Sequence, residues 1–539
     1  MKPEARKGET VSPYLILFIL SFAVLMTSLD STIVNVAIAK LQVAMGATTD
    51  AVQWVITAYL LALAIGLPAA GWCADNFGYK FMFRLALALF TTGSLLCSLS
   101  GNLVALVLSR IFQGFGAGLL TPLGTAFLLR VFPREKLGLA IALYSIPALA
   151  SSSFGPTLGG LLIDNFSWQT MFIINIPVGI VAILLGTLFL PEYKKDERSP
   201  FDFPGFFAIS VALTFLLFAL SNGNAAWNAD GWASPLIIAC FCLAIGGAVL
   251  FGIFQSTTSH PLIDLSLFKS YSFSLSTFVF FVFGFALFGS DFLLPLYLQV
   301  GLGYTPTQAG MIFIPFGFVM IITNILGGKL TDWVDPRIPG MIGIALRAYG
   351  MWRFTFLTPY SESGEVLLTV CFLACGMGFL MSPLQTTSLA SRPVNKAAQA
   401  SGIIAIGRQL GGGFGVAILS TILVGREKFH VSALGQTMNA QDSIYKETLS
   451  RLSLHSLMSF GGTASDALHR AGGIIQAQMK TASFVASIDD VFLVAMIISI
   501  VSSIPFLFLK SAPRAKKTPR GTTNPVAKLA VNSPTGAGS

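Results

Sequence analysis

Apolar runs long enough to cross a bilayer recur from one end of this chain to the other, and nothing else constrains its fold as strongly. They fall at 13–38, 51–71, 80–99, 103–129, 137–162, 167–190, 203–221, 233–254, 272–298, 306–328, 338–357, 366–388, 399–423 and 484–509. Each is near the ~20 residues a transmembrane helix needs. In lipid every backbone polar group must be satisfied within the segment, which helices do and isolated strands do not. The expected fold class is therefore an all-α polytopic membrane protein with fourteen transmembrane helices. Charged residues make up 11% of the 539, against about 25% in soluble domains. The first run is too long for a cleavable signal peptide and has no small-residue cleavage site behind it.

An even number of spans puts both termini on one side, and the basic residues say which. Lys80, Arg84, Arg130, Lys136, Lys194, Lys195, Arg198 and Lys269 fall on the side of the termini, as do the basic tails; among the short loops opposite, only Lys40 is basic. The positive-inside rule makes that side cytoplasmic. The chain is thus expected in the cytoplasmic (inner) membrane with both termini inside. Its net charge of +9 is a topology signal, and no nucleic-acid partner is implied. The six cysteines lie in or at the ends of spans without CxxC spacing, and the four histidines lie in loops, so neither metal nor cofactor is expected. No nucleophile–base pair or phosphate-cradling loop suggests an enzyme.

Charges inside spans carry the functional reading. Asp30, in LDSTIVNVAI, stands where a carboxylate costs about 2.5–3.5 kcal/mol on insertion scales. It is either a packing residue bonded to a neighbouring helix or a site of ion coupling or substrate binding. Thr32 and Asn35 follow and widen the polar face toward a cavity. Arg110, in LVLSRIFQGFGAG, needs a partner: backbone carbonyls of the first span, or Asp30 itself, whose proton occupancy would then be linked to helix packing. Gln113 and Gly114 lie near its face, and Gly114, Gly116 and Gly118 allow close helix approach. Asp291 reads as the only other carboxylate well inside a span, and opens the second half as Asp30 opens the first. Pro295 would loosen its helix. Arg408 lies in the thirteenth span, and the abundant phenylalanines suit an adaptable apolar cavity.

The chain also repeats. Gly71, Asp75, Gly78 and Lys80 form a tight charged turn between the second and third spans; Gly328, Asp332 and Arg337 return with the same spacing in GKLTDWVDPR. A duplication with two inserted helices explains fourteen spans as 6 + 2 + 6, and repeats around a midplane site mark transporters. The expected domains are an N-terminal six-helix bundle (1–190), a linker with two inserted helices (191–271), and a C-terminal six-helix bundle (272–509) with an external loop at 425–488. A disordered cytoplasmic tail follows at 510–539. In the fifth span Gly155, Pro156, Gly159 and Gly160 would bend the helix and give it a close-packing face. The segment HPLIDLSLFKS is expected along the membrane surface. Stretches of the external loop have helical periodicity; it is either a partner-docking element or a poorly ordered excursion.

Together LDSTIVNVAI, QWVITAYLLA, GWCADNFGYK, RIFQGFGAG, GPTLGG with SWQTMFIINIPVG, and PLIDLSLFKS resemble the major facilitator superfamily. More narrowly, they resemble its fourteen-span drug:proton antiporters of the EmrB/QacA type. That resemblance implies alternating access between two halves and efflux driven by proton entry. It implies a cytoplasmic gate at Gly71, Asp75, Gly78 and Lys80, a proton-relay motif at Arg110 and Gly114, and an antiporter motif at Gly155, Pro156, Gly159 and Gly160. The family usually has basic residues where Asn76 and Tyr79 stand, so the charge relay of the gate is thinner here; Ser151 replaces a frequent glycine. The expected function is proton-coupled efflux of amphipathic or cationic small molecules, a multidrug pump, with Asp30, Arg110 and Asp291 in proton coupling and Asn35, Gln113 and Arg408 lining the substrate cavity. Its long external loop is similar to that of pumps that work with a periplasmic adaptor and outer-membrane channel. The alternatives are dedicated export of one siderophore, lipid or peptide, or a scaffold that has lost transport.

Overall fold

In the computed structural model the described residues are 11–193, 199–225, 227–358, 361–390, 397–437 and 443–508. The tail assigned to 510–539 lies outside them, as does the side chain of Asp291. Every long apolar run is helical. The first half holds α1 (Pro13–Val36), α2 (Ile38–Met45), α3 (Thr49–Phe77), α4 (Tyr79–Ser98), α5 (Leu103–Val131) and α6 (Leu137–Asn165). Its sixth run is split into α7 (Thr170–Ile173) and α8 (Asn175–Phe189). Then come α9 (Phe203–Asn222) and α10 (Pro235–Thr257), followed by α11 (Tyr271–Leu296), α12 (Pro306–Trp333), α13 (Arg337–Phe354) and α14 (Ser363–Ala390). Last are α15 (Ala397–Thr437), α16 (Ser443–Phe460), α17 (Ala464–Val501) and α18 (Ser503–Leu507). No strand occurs among the described residues.

Side chains set the helix starts. Thr48 accepts the Ala51 N–H at 3.3 Å and Asn102 that of Ala105 at 2.8 Å, while Thr305 with Gln308 and Thr463 with Asp466 form reciprocal capping boxes. Each satisfies amide donors that a first helical turn leaves unpaired. Pro295 lies inside α11, and a π-helical turn follows at Tyr297–Gly301, where a proline's missing N–H loosens the backbone ladder.

Among the described residues, thirteen helices are long and apolar enough to span a bilayer. The remaining predicted run, 338–357, is α13, whose Arg347 and Arg353 lower its hydropathy. It packs against α14 and α17, and Arg347, 2% exposed, donates to the Ala286 carbonyl of α11. Leu184, Leu188, Ile245 and Val249 are exposed; on a soluble surface such a belt would be a liability, whereas here lipid covers it.

Helices α1, α3–α5 and α8 pack mainly on one another, as do α11, α13–α15 and α17, while α6 and α12 each divide their packing between their own group and each other. The two groups meet along a seam of α3 with α15 and α6 with α12. Helices α9 and α10 pair outside it, α9 resting on both α3 and α15. We call the side with the α3–α4 turn and the 191–202 connection the linker face, and the opposite side the hairpin face.

The helical periodicity of the 425–488 segment is met among its described residues: α15 continues to Thr437, α16 forms one arm, and α17 begins at Ala464. One expectation changes. The segment at 260–270 does not lie free along a surface. Leu262, Ile263 and Leu267 are buried in the core of the second helix group. Asp202 accepts from Gln255 at 2.6 Å and from the amides of Gly205 and Leu262, and Gln255 in turn accepts the Ile263 N–H. These buried polar bonds tie the linker, α10 and this segment together.

Candidate functional site

Asp30 lies on the inner face of α1, 1% exposed, about 26 Å along the helix from Pro13 at 1.5 Å per residue. Its Oδ2 takes the Arg110 guanidinium at 2.5 Å. Its Oδ1 accepts the side-chain amides of Gln113 at 2.9 Å and Asn175 at 3.0 Å. Arg110 also donates to the Val55 carbonyl of α3 at 3.0 Å and to Gln113 at 2.6 Å, and its guanidinium lies 4.1 Å from the centre of the Tyr59 ring. Gln113 closes the network by donating to Ser94 of α4 at 2.7 Å. Side chains of α1, α4, α5 and α8, and the backbone of α3, thus converge on one carboxylate. A buried ion pair is tolerable only when further hydrogen bonds support it; here both Asp30 oxygens accept, and Arg110 donates through Nε and Nη1.

The sequence pairs Asp30 with Arg110, and the structure brings them together. The carbonyl that Arg110 reaches belongs to α3, not to α1. Gln113 was expected to line a cavity, but it is wholly buried and belongs to the charge cluster. Asn35 is exposed near the end of α1: five residues beyond Asp30 it is rotated about 140° away. Asn175 was missed; the signal was a lone asparagine inside IINIPVG. Asp291 lies on α11, its side chain outside those described. Asp489 and Asp490 also fall within the run at 484–509, contrary to the reading of Asp291 as the only other such carboxylate. They sit at its hairpin-face rim, where Asp490 takes Arg426 at 2.6 Å and His430 at 2.8 Å.

Glycines make the close approaches. A methyl group at Gly114 would collide with the Tyr59 carbonyl, and one at Gly155 with the Thr32 hydroxyl. Gly159 faces the Ile33 backbone, while Gly160 faces open space and so contributes no contact to the packing face. Pro156 lies within the unbroken α6.

Both copies of the glycine–aspartate motif stand at the seam on the linker face. An added methyl on Gly71 of α3 would lie 2.7 Å from Gln399 of α15, and one on Gly328 of α12 would lie 2.6 Å from Ala142 of α6. Asp332 reaches across and accepts the Gly138 and Leu139 amides at 2.9 and 3.1 Å. Those amides open α6, so the carboxylate meets the positive end of a helix dipole. Ser382 and Asn324 add hydrogen bonds to the Gly138 and Ala142 carbonyls, each 2.9 Å. In the first copy the Tyr79 hydroxyl donates to Asp75 at 3.3 Å. Arg337 stands 3.9 Å from Asp335, both part-exposed, an arrangement worth at most about 1 kcal/mol.

The positions where this chain departs from the resembled pattern hold the linker. Asn76 and Ser199 exchange two hydrogen bonds, and Trp72 donates to the Ser199 and Pro200 carbonyls at 3.1 Å. The Tyr79 N–H donates to the Tyr193 carbonyl at 2.9 Å and the Lys80 N–H to Glu192 at 3.1 Å. The Arg130 guanidinium covers the Tyr79 ring at 4.2 Å. Between these contacts Gly78 has φ +98° and ψ 145°, a region that side chains other than glycine rarely enter. Gly78→Ala should therefore lower thermal stability by about 1–3 kcal/mol. Adding Glu192→Ala should not restore it, because the strain is in the backbone; full rescue in a thermal melt would refute this.

The Major Facilitator Superfamily profile matches residues 20–416. Multidrug resistance protein B homolog of Mycobacterium tuberculosis (strain ATCC 25618 / H37Rv) is 35% identical over 74% of each chain. Probable multidrug resistance protein EmrY of Escherichia coli (strain K12) is 32% identical over 92% of this chain and 95% of its own. Among solved structures, the proton:xylose symporter XylE aligns with a TM-score of 0.58 at 12% identity, over 93% of this chain and 96% of its own. With the paired halves and their seam, these likenesses place the chain in the major facilitator superfamily, beside multidrug resistance proteins of the EmrY kind.

Proposed function

We propose that the chain exports amphipathic or cationic small molecules in exchange for protons, by alternating access of two halves. The observation that carries this reading is the Asp30–Arg110 pair, an enclosed acid at the centre of a hydrogen-bond network that joins five helices. Protonation of Asp30 removes the charge that Arg110 and two side-chain amides address. It thereby supplies a differential free energy between access states, which any coupled cycle requires. Asp291 is the second coupling candidate.

The halves of this reading are 1–190 and 272–509, with 191–271 as an insert whose linker is clamped to the α3–α4 turn. The basic residues make the linker face cytoplasmic in the inner membrane. Gly71, Asp75, Gly78, Lys80, Asp332 and Arg337 then form the inner gate. The projecting ends of α15 and α17 with α16 would meet a periplasmic adaptor, itself joined to an outer-membrane channel. The multidrug names of the relatives support the substrate range.

The test is transport of a fluorescent cationic dye into liposomes with an imposed pH gradient. Wild type should move the dye, and Asp30→Asn should abolish its dependence on the gradient. Movement unchanged by both Asp30→Asn and Asp291→Asn would overturn the coupling assignment.

A further inference from the structure

Two neighbouring acids on the hairpin face are partnered unequally. Asp489 and Asp490 are adjacent on α17, and the two cations that α15 pairs there go to one oxygen, Oδ2 of Asp490: Arg426 at 2.6 Å and His430 at 2.8 Å. Asp489 is part-buried and makes no ion pair among the described residues. Its enclosed Oδ1 has no hydrogen-bond partner. Successive helical residues are turned by about 100°, so Asp489 faces another neighbour.

That neighbour is the π-helical turn after α11. Tyr297, its first residue, is wholly buried, and its ring centre lies 6.0 Å from that of Phe492. At Gly301 an added methyl would lie 3.3 Å from the Tyr297 ring and 3.4 Å from Val485, so the ring borders Val485 too. Val485, Asp489 and Phe492 share one face of α17, spaced by four and three residues. The aspartate thus stands between the two α17 side chains that flank the tyrosine. The Tyr297 hydroxyl is enclosed and, like Oδ1 of Asp489, has no hydrogen-bond partner.

The other elements packed on α17 bring Asp489 no counter-charge among the described residues. Arg353 of α13 and Glu427 and Lys428 of α15 make no ion pair, and α13 meets this face through Phe354, stacked on Phe492 at 4.5 Å. Tyr304, beyond the π turn, shares a hydrogen bond with Ser363. Helix α16 borders α17 at Leu468 and Gln476, the latter about 20 Å before Asp489 at 1.5 Å per residue. Helix α18 has no ionisable side chain, and α11 carries one further acid, Asp291, before Tyr297.

A carboxylate turned toward the tyrosine would meet apolar side chains, a like charge at Asp490 and no cation, whereas a neutral carboxyl can share a hydrogen bond with a phenol. We infer that Asp489 is a protonation site whose neutral carboxyl bonds the Tyr297 hydroxyl and ties the π turn of α11 to α17. The proton adds to a carboxylate oxygen, and the acid O–H donates to the phenol oxygen. Loss of the proton returns the charge toward water and frees the turn. Neither substrate nor the Asp30 cluster takes part, so the site stands apart from the transport reading.

The full chain in lipid nanodiscs, without substrate or pH gradient, is titrated from alkaline to acidic pH. Infrared difference spectra should show a protonated-carboxyl C=O band that Asp489→Asn removes. Tyr297→Phe, which keeps the ring packed, should move that band to higher frequency. In a cysteine-free background, spin labels at Val300 and Ala482, exposed residues on the π turn and on α17, should approach each other on acidification. Asp489→Asn, neutral and of the same shape, should hold the acid-pH distance at every pH, and Tyr297→Phe should remove most of the change. His430→Gln is the control, since imidazole also changes charge near neutral pH; it should leave both signals in place. A band and a distance change that survive Asp489→Asn, or that vanish in His430→Gln, would overturn the site. A band that Tyr297→Phe leaves unmoved, with the distance change intact, would overturn the tie to the π turn and the inference with it.

Discussion

Arg110→Ala should be the most damaging single substitution in the first half, lowering stability by about 3–5 kcal/mol. That is the usual consequence of leaving one member of a buried ion pair uncompensated. Asp30 would keep Gln113 and Asn175, but two neutral amides do not neutralise a carboxylate enclosed by α1, α5 and α8. The loss should show as a fall in the thermal unfolding midpoint of the protein in detergent. Adding Asp30→Asn should recover part of it, because the second change removes the unpaired charge. Asp30→Asn alone should cost less, since Arg110 retains the Val55 carbonyl, the Gln113 side chain and the Tyr59 ring. Strictly additive losses in the double variant would mean that the two groups are not coupled.

That pair was legible in the sequence because intramembrane charges are rare and costly, so two of opposite sign in one repeat invite pairing. The apolar runs likewise carried the helices, since bilayer thickness dictates their length. The rest depended on rotation and neighbours, which composition does not encode. Asn35 is spaced closely after Asp30, yet its rotation turns it away from the cluster. Asn175 looks ordinary in sequence, yet the start of α8 carries it to Asp30. The linker's docking was hidden for a related reason. Asn76 and Tyr79 read only as missing basic residues, and their partners, Ser199 and Tyr193, are more than a hundred residues away. Arg408 was visible as a cation inside a span, but that it has no ion pair among the described residues emerges only from three-dimensional packing.

The second large effect should come from Asp332→Ala, which removes the carboxylate that caps α6 from the opposite half. The Gly138 and Leu139 amides would each lose an acceptor, at about 1 kcal/mol apiece, and the interaction with the α6 dipole would add a few tenths more. A total near 2 kcal/mol is modest beside the stability of the whole fold. It acts, however, only on the state in which α6 and α12 are closed on the linker face. By itself 2 kcal/mol changes a two-state ratio about thirtyfold. In a cysteine-free background, spin labels at Lys136 and Lys329, exposed residues on either side of this contact, would report the separation. Asp332→Ala should move most of the distance distribution to a longer population. Asp332→Asn should be intermediate, because one amide oxygen still accepts while the side-chain N–H groups face donors. The Asp332 contact is also one of two related ones: Gly71 against Gln399 and Gly328 against Ala142 close corresponding positions of the repeat. A distribution unchanged in Asp332→Ala would mean that those glycine contacts hold the linker face shut without the cap. The gate would then be steric rather than electrostatic.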